Sequence, residues 1–220
     1  MARTRVKFCC ISSLKEARLA VAHGADALGL VSHMPSGPGV ISEDLIGDIA
    51  RAAPPAIGIF LLTSALAAAE IIAQQNRCRV NTIQIVDALP SGEYTRLRAA
   101  MPSVALVQVI HVWNKESIVD ARAVAGEVDA VLLESSDPIH PVKELGGTGR
   151  VHDWALSRAI VRALDIPVFL AGGLEAENVG DAIDTVKPFG VDLCSGVRTN
   201  DKLDGAKLGS LFATIEAASG

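Results

Sequence analysis

The chain has 220 residues, half of them hydrophobic, and a formal net charge of −5 at pH 7. The lysines and arginines form no cluster larger than the charged face of a solvated helix, which argues against nucleic-acid binding. No apolar stretch is long enough to span a bilayer. The basic N-terminus is followed at once by the polar stretch "SSLKEAR", which a secretory signal peptide would not tolerate, so we expect a cytoplasmic protein.

The cysteines give no sign of a metal centre or a disulfide framework. There are four of them, at positions 9, 10, 78 and 194, and their spacing fits neither pattern. We therefore expect reduced thiols, with no metal and no cofactor.

Apolar runs of strand length alternate with longer stretches of helical periodicity along the whole chain. The predicted strands are Val6–Cys9, Ala27–Val31, Ala56–Leu62, Thr82–Val86, Val104–Ile110, Ala130–Leu133, Pro167–Ala171 and Gly190–Cys194. Eight strands that alternate with eight helices predict an α/β fold, a (β/α)₈ TIM barrel formed by residues 1–220 as a single domain. A doubly wound open sheet is the alternative. In a barrel, the functional residues are expected at the carboxyl ends of the strands and in the loops that follow.

The first strand carries adjacent cysteines in "VKFCCISS". Because side chains alternate along a strand, Lys7 and Cys9 share one face, whereas Phe8 and Cys10 are expected to face the helices. A lysine beside a thiol favours the thiolate, the form that accepts a proton, so we expect chemistry at Cys9. A structural role is the prediction for Cys10 and for the other two thiols.

Glycines follow the last two predicted strands, in "AGGLEAENV" and "CSGVRT". Two such neighbouring loops in a barrel are typical of a phosphate site, because backbone N–H groups approach an anion closely there. The predicted phosphate ligands are the backbone groups around Gly172, Gly173, Ser195 and Gly196. Tight turns without a ligand are the alternative. The long connection after the sixth strand contains "GGTG", with Gly147, and has the length of a binding loop.

Several stretches together resemble the phosphoribosylanthranilate isomerase family. They are "VKFCCIS" for the family's K-I-C-G-I-T, "HGADALGLV", "GIF", "IQIV" for Q-L-H-G, "GGTGRVHDW" for G-G-T-G-x-x-F-D-W, "AGGLEAENV" and "VDLCSGV" for V-D-V-S-S-G-V. They occur in the family's order over nearly the whole chain.

This resemblance implies an Amadori rearrangement in tryptophan biosynthesis, with Cys9 as the general base and Glu134 as the general acid. It implies a phosphorylated sugar as the small-molecule substrate, and either a monomer or a homodimer. The remaining predicted substrate-binding residues are Lys7, Gln84, Gly147 and Arg198.

The chain departs from the family pattern around the expected aglycone. Glu134 stands where the family has aspartate, Gly39 where it has the arginine of S-P-R, and Cys10 where it has glycine. Arg198 stands where the family generally has glutamate. The candidate replacements for the missing arginine are His33, Arg150 and Arg198. Two alternatives stay open: a phosphosugar isomerase or lyase with a different aglycone, and a non-catalytic sugar-phosphate-binding paralogue.

Overall fold

A computed structural model describes residues 3–35, 37–135 and 153–219. Eight parallel strands form a closed barrel in chain order, and the first strand pairs with both the second and the eighth. The TIM-barrel prediction is confirmed, and this closure excludes the open sheet. The strands are β1 Arg5–Phe8, β2 Ala27–Val31, β3 Gly58–Thr63, β4 Thr82–Ile85, β5 Ala105–Val112, β6 Ala130–Ser135, β7 Val168–Leu170 and β8 Gly190–Leu193.

Helices follow the strands and cover the outside of the barrel. They are α1 Leu14–Ala22, α2 Glu43–Ala52, α3 Ala68–Cys78, α4 Glu93–Ala100, α5 Glu116–Val124, α6 Trp154–Ala163, α7 Val179–Val186 and α8 Gly205–Ser219. Ser13 and Ser42 cap the first two helices, since each side chain accepts a backbone N–H of the first turn. None of the described helices combines the length and the hydropathy that crossing a membrane requires.

Two short elements separate β8 from α8. They are a 3₁₀ turn, Ser195–Val197, and an antiparallel pair formed by β9 Arg198–Thr199 and β10 Lys202–Leu203. This segment brings the chain back to α1, where Glu16 accepts a hydrogen bond from the backbone N–H of Leu203. The segment therefore links the end of β8 to the start of the barrel.

The apolar core has two layers because side chains alternate across each strand. One layer lies between strands and helices, and Phe8 belongs to it, packed edge-to-face against Phe212 of α8. The other fills the barrel interior, where Phe60 and Phe169 pack edge-to-face. The interior layer meets the candidate site at the carboxyl ends of the strands.

Candidate active site

A pocket opens at the carboxyl ends of the barrel strands, where the fold predicts it. Its described lining consists of Cys9, Cys10, Val31, Met34, Gly37, Pro38, Leu62, Gln84, Val109, Glu134, Ala171, Gly172, Gly173, Leu174, Asp192, Leu193, Cys194 and Ser195. One wall is apolar, another carries three thiols, and two carboxyl groups face the interior. Within the described part of the chain, no lysine, arginine or histidine lines this pocket.

Lys7 lies beneath the pocket floor and not in its lining, which differs from its predicted contact with substrate. Its side chain is fully buried, and Nζ donates to Oδ2 of Asp192 at 2.6 Å. Burial on its own would lower the pKa of Lys7, but the carboxylate of Asp192 and the neighbouring thiols raise it above its ordinary value. The lysine therefore stays charged and places a fixed positive charge under the pocket.

Cys9 follows β1 directly and faces the pocket, on the same side of the chain as Lys7. A Cβ atom built on Gly29 of the neighbouring strand would lie 3.0 Å from Nζ of Lys7 and 3.1 Å from Sγ of Cys9. Both polar atoms therefore occupy space that a side chain at position 29 would need. Glycine at position 29 thus leaves room for the lysine and the thiol side by side.

Cys10 also lines the pocket, so the prediction that it faces the helices is wrong. β1 ends at Phe8, and Cys10 has a left-handed backbone with φ of 60°. Side chains alternate only while a strand stays extended, and this turn rotates Cys10 back towards the barrel mouth. Its Sγ lies 2.9 Å from Sγ of Cys194, which was also predicted to have only a structural role.

Glu134 lies near the end of β6 and faces the pocket. Burial raises the pKa of this carboxyl to about 8, and the negative charge of Asp192 acts in the same direction. The backbone N–H of Ser135, which donates to Oε1 at 3.2 Å, only partly offsets the two effects. At neutral pH the group holds a proton that it can give away, as a general acid must.

Gln84 and Asp192 each leave one buried acceptor without a partner among the described residues. These atoms are Oε1 of Gln84 and Oδ1 of Asp192, and both residues line the pocket. An unsatisfied buried acceptor is costly unless a ligand or water donates to it. The two atoms are therefore suited to bind hydroxyl groups of a ligand.

The predicted phosphate loops lie next to each other at one side of the pocket. Gly172 and Gly173 have φ of 90° and 62°, a backbone that favours glycine, and no described carbonyl accepts a hydrogen bond from their N–H groups. A Cβ atom on Gly196 would lie 2.2 Å from the carbonyl oxygen of Leu174. Gly196 thus lets the loop after β8 pack against the loop after β7, and exposed Ser195 follows the same wall.

Arg198 does not line the pocket, in contrast to its predicted contact with substrate. Its guanidinium donates to the carbonyl of Cys10 at 2.6 Å, to that of Cys9 at 3.3 Å, and to Oε1 of Glu16 at 3.1 Å. The arginine is thus used to fasten the end of β1. The sequence could not show this because Glu16 lies 182 residues away. Gly147 and Arg150 lie outside the described residues.

A side chain at position 39 would need the space that the side chain of Cys10 occupies. With φ of 81°, a Cβ atom on Gly39 would lie 2.5 Å from Cβ of Cys10 and 3.0 Å from its Sγ. No side chain larger than glycine fits at position 39 while Cys10 is present. The two departures from the family pattern, glycine in place of arginine at position 39 and cysteine in place of glycine at position 10, are therefore sterically linked.

The described residues contain no group of three or more histidine, cysteine or acidic side chains arranged to hold a metal ion. What the pocket does hold is a thiol, a protonated carboxyl group and two glycine-rich loops at the mouth of a parallel barrel. These features define a (β/α)₈-barrel enzyme with an acid–base site.

Comparison with known proteins identifies the family. Residues 6–214 match the family model described as N-(5'-phosphoribosyl)anthranilate isomerase. The chain belongs to this family.

Individual relatives align with this chain over most of their length. The chain is 31% identical over 199 residues to the N-(5'-phosphoribosyl)anthranilate isomerase of Methanocella arvoryzae, covering 90% of this chain and 91% of the relative. It is 35% identical over 198 residues to N-(5'-phosphoribosyl)anthranilate isomerase 2 of Methanosarcina mazei, covering 90% and 87%. The solved isomerase of Thermotoga maritima superimposes with a TM-score of 0.82 at 27% identity and covers 97% of this chain and 99% of that one.

Proposed function

We propose that the chain, acting as a single domain, isomerises N-(5'-phosphoribosyl)anthranilate to 1-(o-carboxyphenylamino)-1-deoxyribulose 5-phosphate in tryptophan biosynthesis. The observation that carries this proposal is the pairing of a protonated Glu134 with Cys9 in one pocket, beside two glycine-rich loops. An Amadori rearrangement needs one proton donor, one proton acceptor and a hold on the phosphate. The family to which the chain belongs carries the same activity in its name.

The position of each group supports the role that we propose for it. Glu134 donates its proton to the oxygen of the sugar ring, the C1–O bond breaks, and the electron pair on nitrogen forms an iminium ion. The sulfur of Cys9 then accepts the proton from C2, and the released electron pair neutralises the iminium to give the enol form of the product. Oδ1 of Asp192 and Oε1 of Gln84 accept hydrogen bonds from sugar hydroxyls, which satisfies both buried atoms.

The phosphate group is held by backbone N–H groups around Gly172, Gly173, Ser195 and Gly196. Such groups suit an anion because they supply directed donors at close range without a competing side chain. Among the described residues, no carbonyl accepts a hydrogen bond from the N–H groups of Gly172 and Gly173, which supports this assignment.

A Gly196→Ala substitution should weaken phosphate binding. The added methyl group would overlap the carbonyl of Leu174 at 2.2 Å and force the two loops apart. Loss of one or more charge-assisted hydrogen bonds, each about 1.5–3 kcal/mol, should raise the Kd for inorganic phosphate about tenfold or more. Isothermal titration calorimetry measures this, and Gly209→Ala on α8, where the new methyl group meets nothing within 4 Å, is the control. Equal phosphate affinity in the two variants would place the anion elsewhere.

A different aglycone is the second candidate function. The pocket lacks a described cationic side chain that could pair with the carboxylate of anthranilate, and Gly39 stands where the family has its arginine. A substrate without that carboxylate would need no such partner. Arg150, which lies outside the described residues, is the candidate partner if anthranilate is the aglycone.

Growth of a tryptophan auxotroph that lacks this isomerase tests the proposed function. Expression of the chain should restore growth without tryptophan, and the purified protein should turn over phosphoribosylanthranilate. Failure of both, with phosphate still bound, would favour the other aglycone or a non-catalytic role. The cytoplasmic location and the choice between monomer and homodimer stay predictions from the sequence.

A further inference from the structure

Two thiols that the proposed reaction does not use nearly touch at the mouth of the pocket. Sγ of Cys10 and Sγ of Cys194 are 2.9 Å apart, and both residues line the pocket. They follow β1 and β8, which pair side by side in the closed barrel. Neighbouring strands therefore present two sulfur atoms to each other from opposite ends of the chain.

The surroundings fix Cys10 in this position. Arg198 holds its carbonyl oxygen at 2.6 Å, the carbonyl of Pro38 lies 3.6 Å from its Sγ, and Gly39 packs against its Cβ. A disulfide has a sulfur–sulfur distance of about 2.05 Å, so the gap has to shorten by about 0.9 Å. Because these contacts hold Cys10, the loop that carries Cys194 has to supply that movement.

We propose that Cys10 and Cys194 form a modification site, an oxidisable dithiol that hydroperoxides convert to a disulfide across the pocket mouth. This inference goes beyond the proposed function, since neither sulfur takes part in the isomerisation. Cys194 is partly exposed and can meet a small oxidant that enters the pocket, and buried Cys10 lies against it in the same lining.

The oxidation balances with one hydroperoxide for each disulfide. The thiolate of Cys194 attacks one peroxide oxygen, so that an S–O bond forms, the O–O bond breaks and hydroxide (or an alkoxide) leaves. The sulfur of Cys10 loses its proton and attacks the sulfur of Cys194, so that the S–S bond forms and the new S–O bond breaks. The hydroxyl group that was bound to Cys194 leaves and takes up the proton from Cys10 as water. The two sulfurs lose two electrons, which the peroxide takes up.

The electrostatics favour Cys194 as the sulfur that reacts first. Its hydrogen bond with Cys10 lowers the pKa of Cys194, and the positive charges of Arg198 and Lys7 act in the same direction against burial and the charge of Asp192. The same hydrogen bond and burial raise the pKa of Cys10. Low thiol pKa and access from solvent are the features of oxidation-sensitive cysteines.

The bond would join the two loops on which the proposed mechanism depends. Cys10 adjoins Cys9, and Cys194 adjoins Ser195 of the phosphate loop. A displacement of about 1 Å in such groups costs about a hundredfold in rate. We therefore expect the oxidised protein to lose activity and a reducing thiol such as dithiothreitol to restore it. The loss of activity rests on the proposed function, whereas formation of the bond does not.

Peptide mapping after exposure to hydrogen peroxide tests the proposal. Intact-mass analysis should show the loss of two hydrogen atoms, and the number of alkylatable thiols should fall from four to two. Trypsin should release one cross-linked species that joins residues 8–15 to residues 163–198. Fragmentation between Cys9 and Cys10 then shows which of the two neighbouring cysteines carries the bond, without any variant.

Matched variants give an independent answer. The cross-link should persist in Cys9→Ser and Cys78→Ser and disappear in Cys10→Ser and Cys194→Ser. A bond from Cys9 to either neighbour, or oxidation that leaves Cys10 and Cys194 as free thiols, would overturn the proposal. If the cross-link forms as expected but no isomerase activity is ever found, the dithiol site stands and the proposed function fails.

Discussion

A Cys9→Ala variant should fold and bind phosphate but lose turnover of phosphoribosylanthranilate by about 10²–10⁴-fold, the usual contribution of a general base. Cys9 is the thiol that faces the pocket directly at the end of β1, above the buried charge of Lys7. Alanine removes the proton acceptor and only a few atoms of packing from a partly exposed position. The loss should therefore appear in kcat, with the Kd for phosphate unchanged. Single-turnover kinetics measure the loss of rate, and titration calorimetry with phosphate measures the Kd. Circular dichroism checks that the variant folds.

The same substitution at two other cysteines provides controls for Cys9→Ala. Cys78→Ala, on the buried side of α3 and outside the pocket lining, should keep full turnover. Cys10→Ala changes the neighbouring thiol and should stay active. If Cys9→Ala and Cys10→Ala retain equal activity, Cys9 has no catalytic role and the proton acceptor must be sought elsewhere in the pocket.

Glu134→Gln should lower turnover by a similar factor of about 10²–10⁴, because an amide cannot supply the proton that opens the sugar ring. The wild-type protein should also lose kcat/KM as the pH rises through about 8, the pKa to which burial and Asp192 raise this carboxyl. The direction follows from the role: the acid is active while protonated, which is the state below its pKa. Steady-state kinetics between pH 6 and about pH 9.5 should show this descending limb, and the variant should lack it.

Stability gives a second readout that does not depend on activity. The pKa of Glu134 is higher in the folded protein than its ordinary value of 4.5, so the folded state binds this proton more tightly than the unfolded chain. The group's contribution to the free energy of unfolding is therefore fully present below about pH 4.5 and is lost as the pH rises through about 8. Urea denaturation should show that Glu134→Gln removes this decline.

Glu70→Gln on the exposed face of α3 is the matched control, since it makes the same chemical change outside the pocket. It should leave the rate, the pH profile and the stability as they are in the wild type. An unchanged descending limb in Glu134→Gln would mean that another group donates the proton.

Local sequence patterns were enough to predict the barrel and to bring Cys9, Glu134 and the glycine loops to its carboxyl end. Strand period and motif order carry that information, because the fold places every strand end at one rim. The prediction for Cys10 failed because β1 ends two residues before it and its backbone turns left-handed. The sequence predicts substrate contact for Arg198 and Lys7 but gives no sign of their internal partners. These partners, Glu16 and Asp192, lie 182 and 185 residues away. Pairing at such separation leaves no local signal.

Because a side chain at position 39 would overlap Cys10, the effect of a substitution at either position depends on the residue at the other. The family pattern has arginine at the place of Gly39 and glycine at the place of Cys10. A Cβ atom on Gly39 would lie 2.5 Å from Cβ of Cys10, so the two larger side chains do not fit together in this backbone. An arginine at position 39 therefore requires Cys10→Gly first, which removes the overlap at 2.5 Å. The backbone at position 39 must also change, because its φ of 81° strains any side chain. The two loops therefore evolve as one unit, and a single substitution at either position does not reveal what the pair can accommodate.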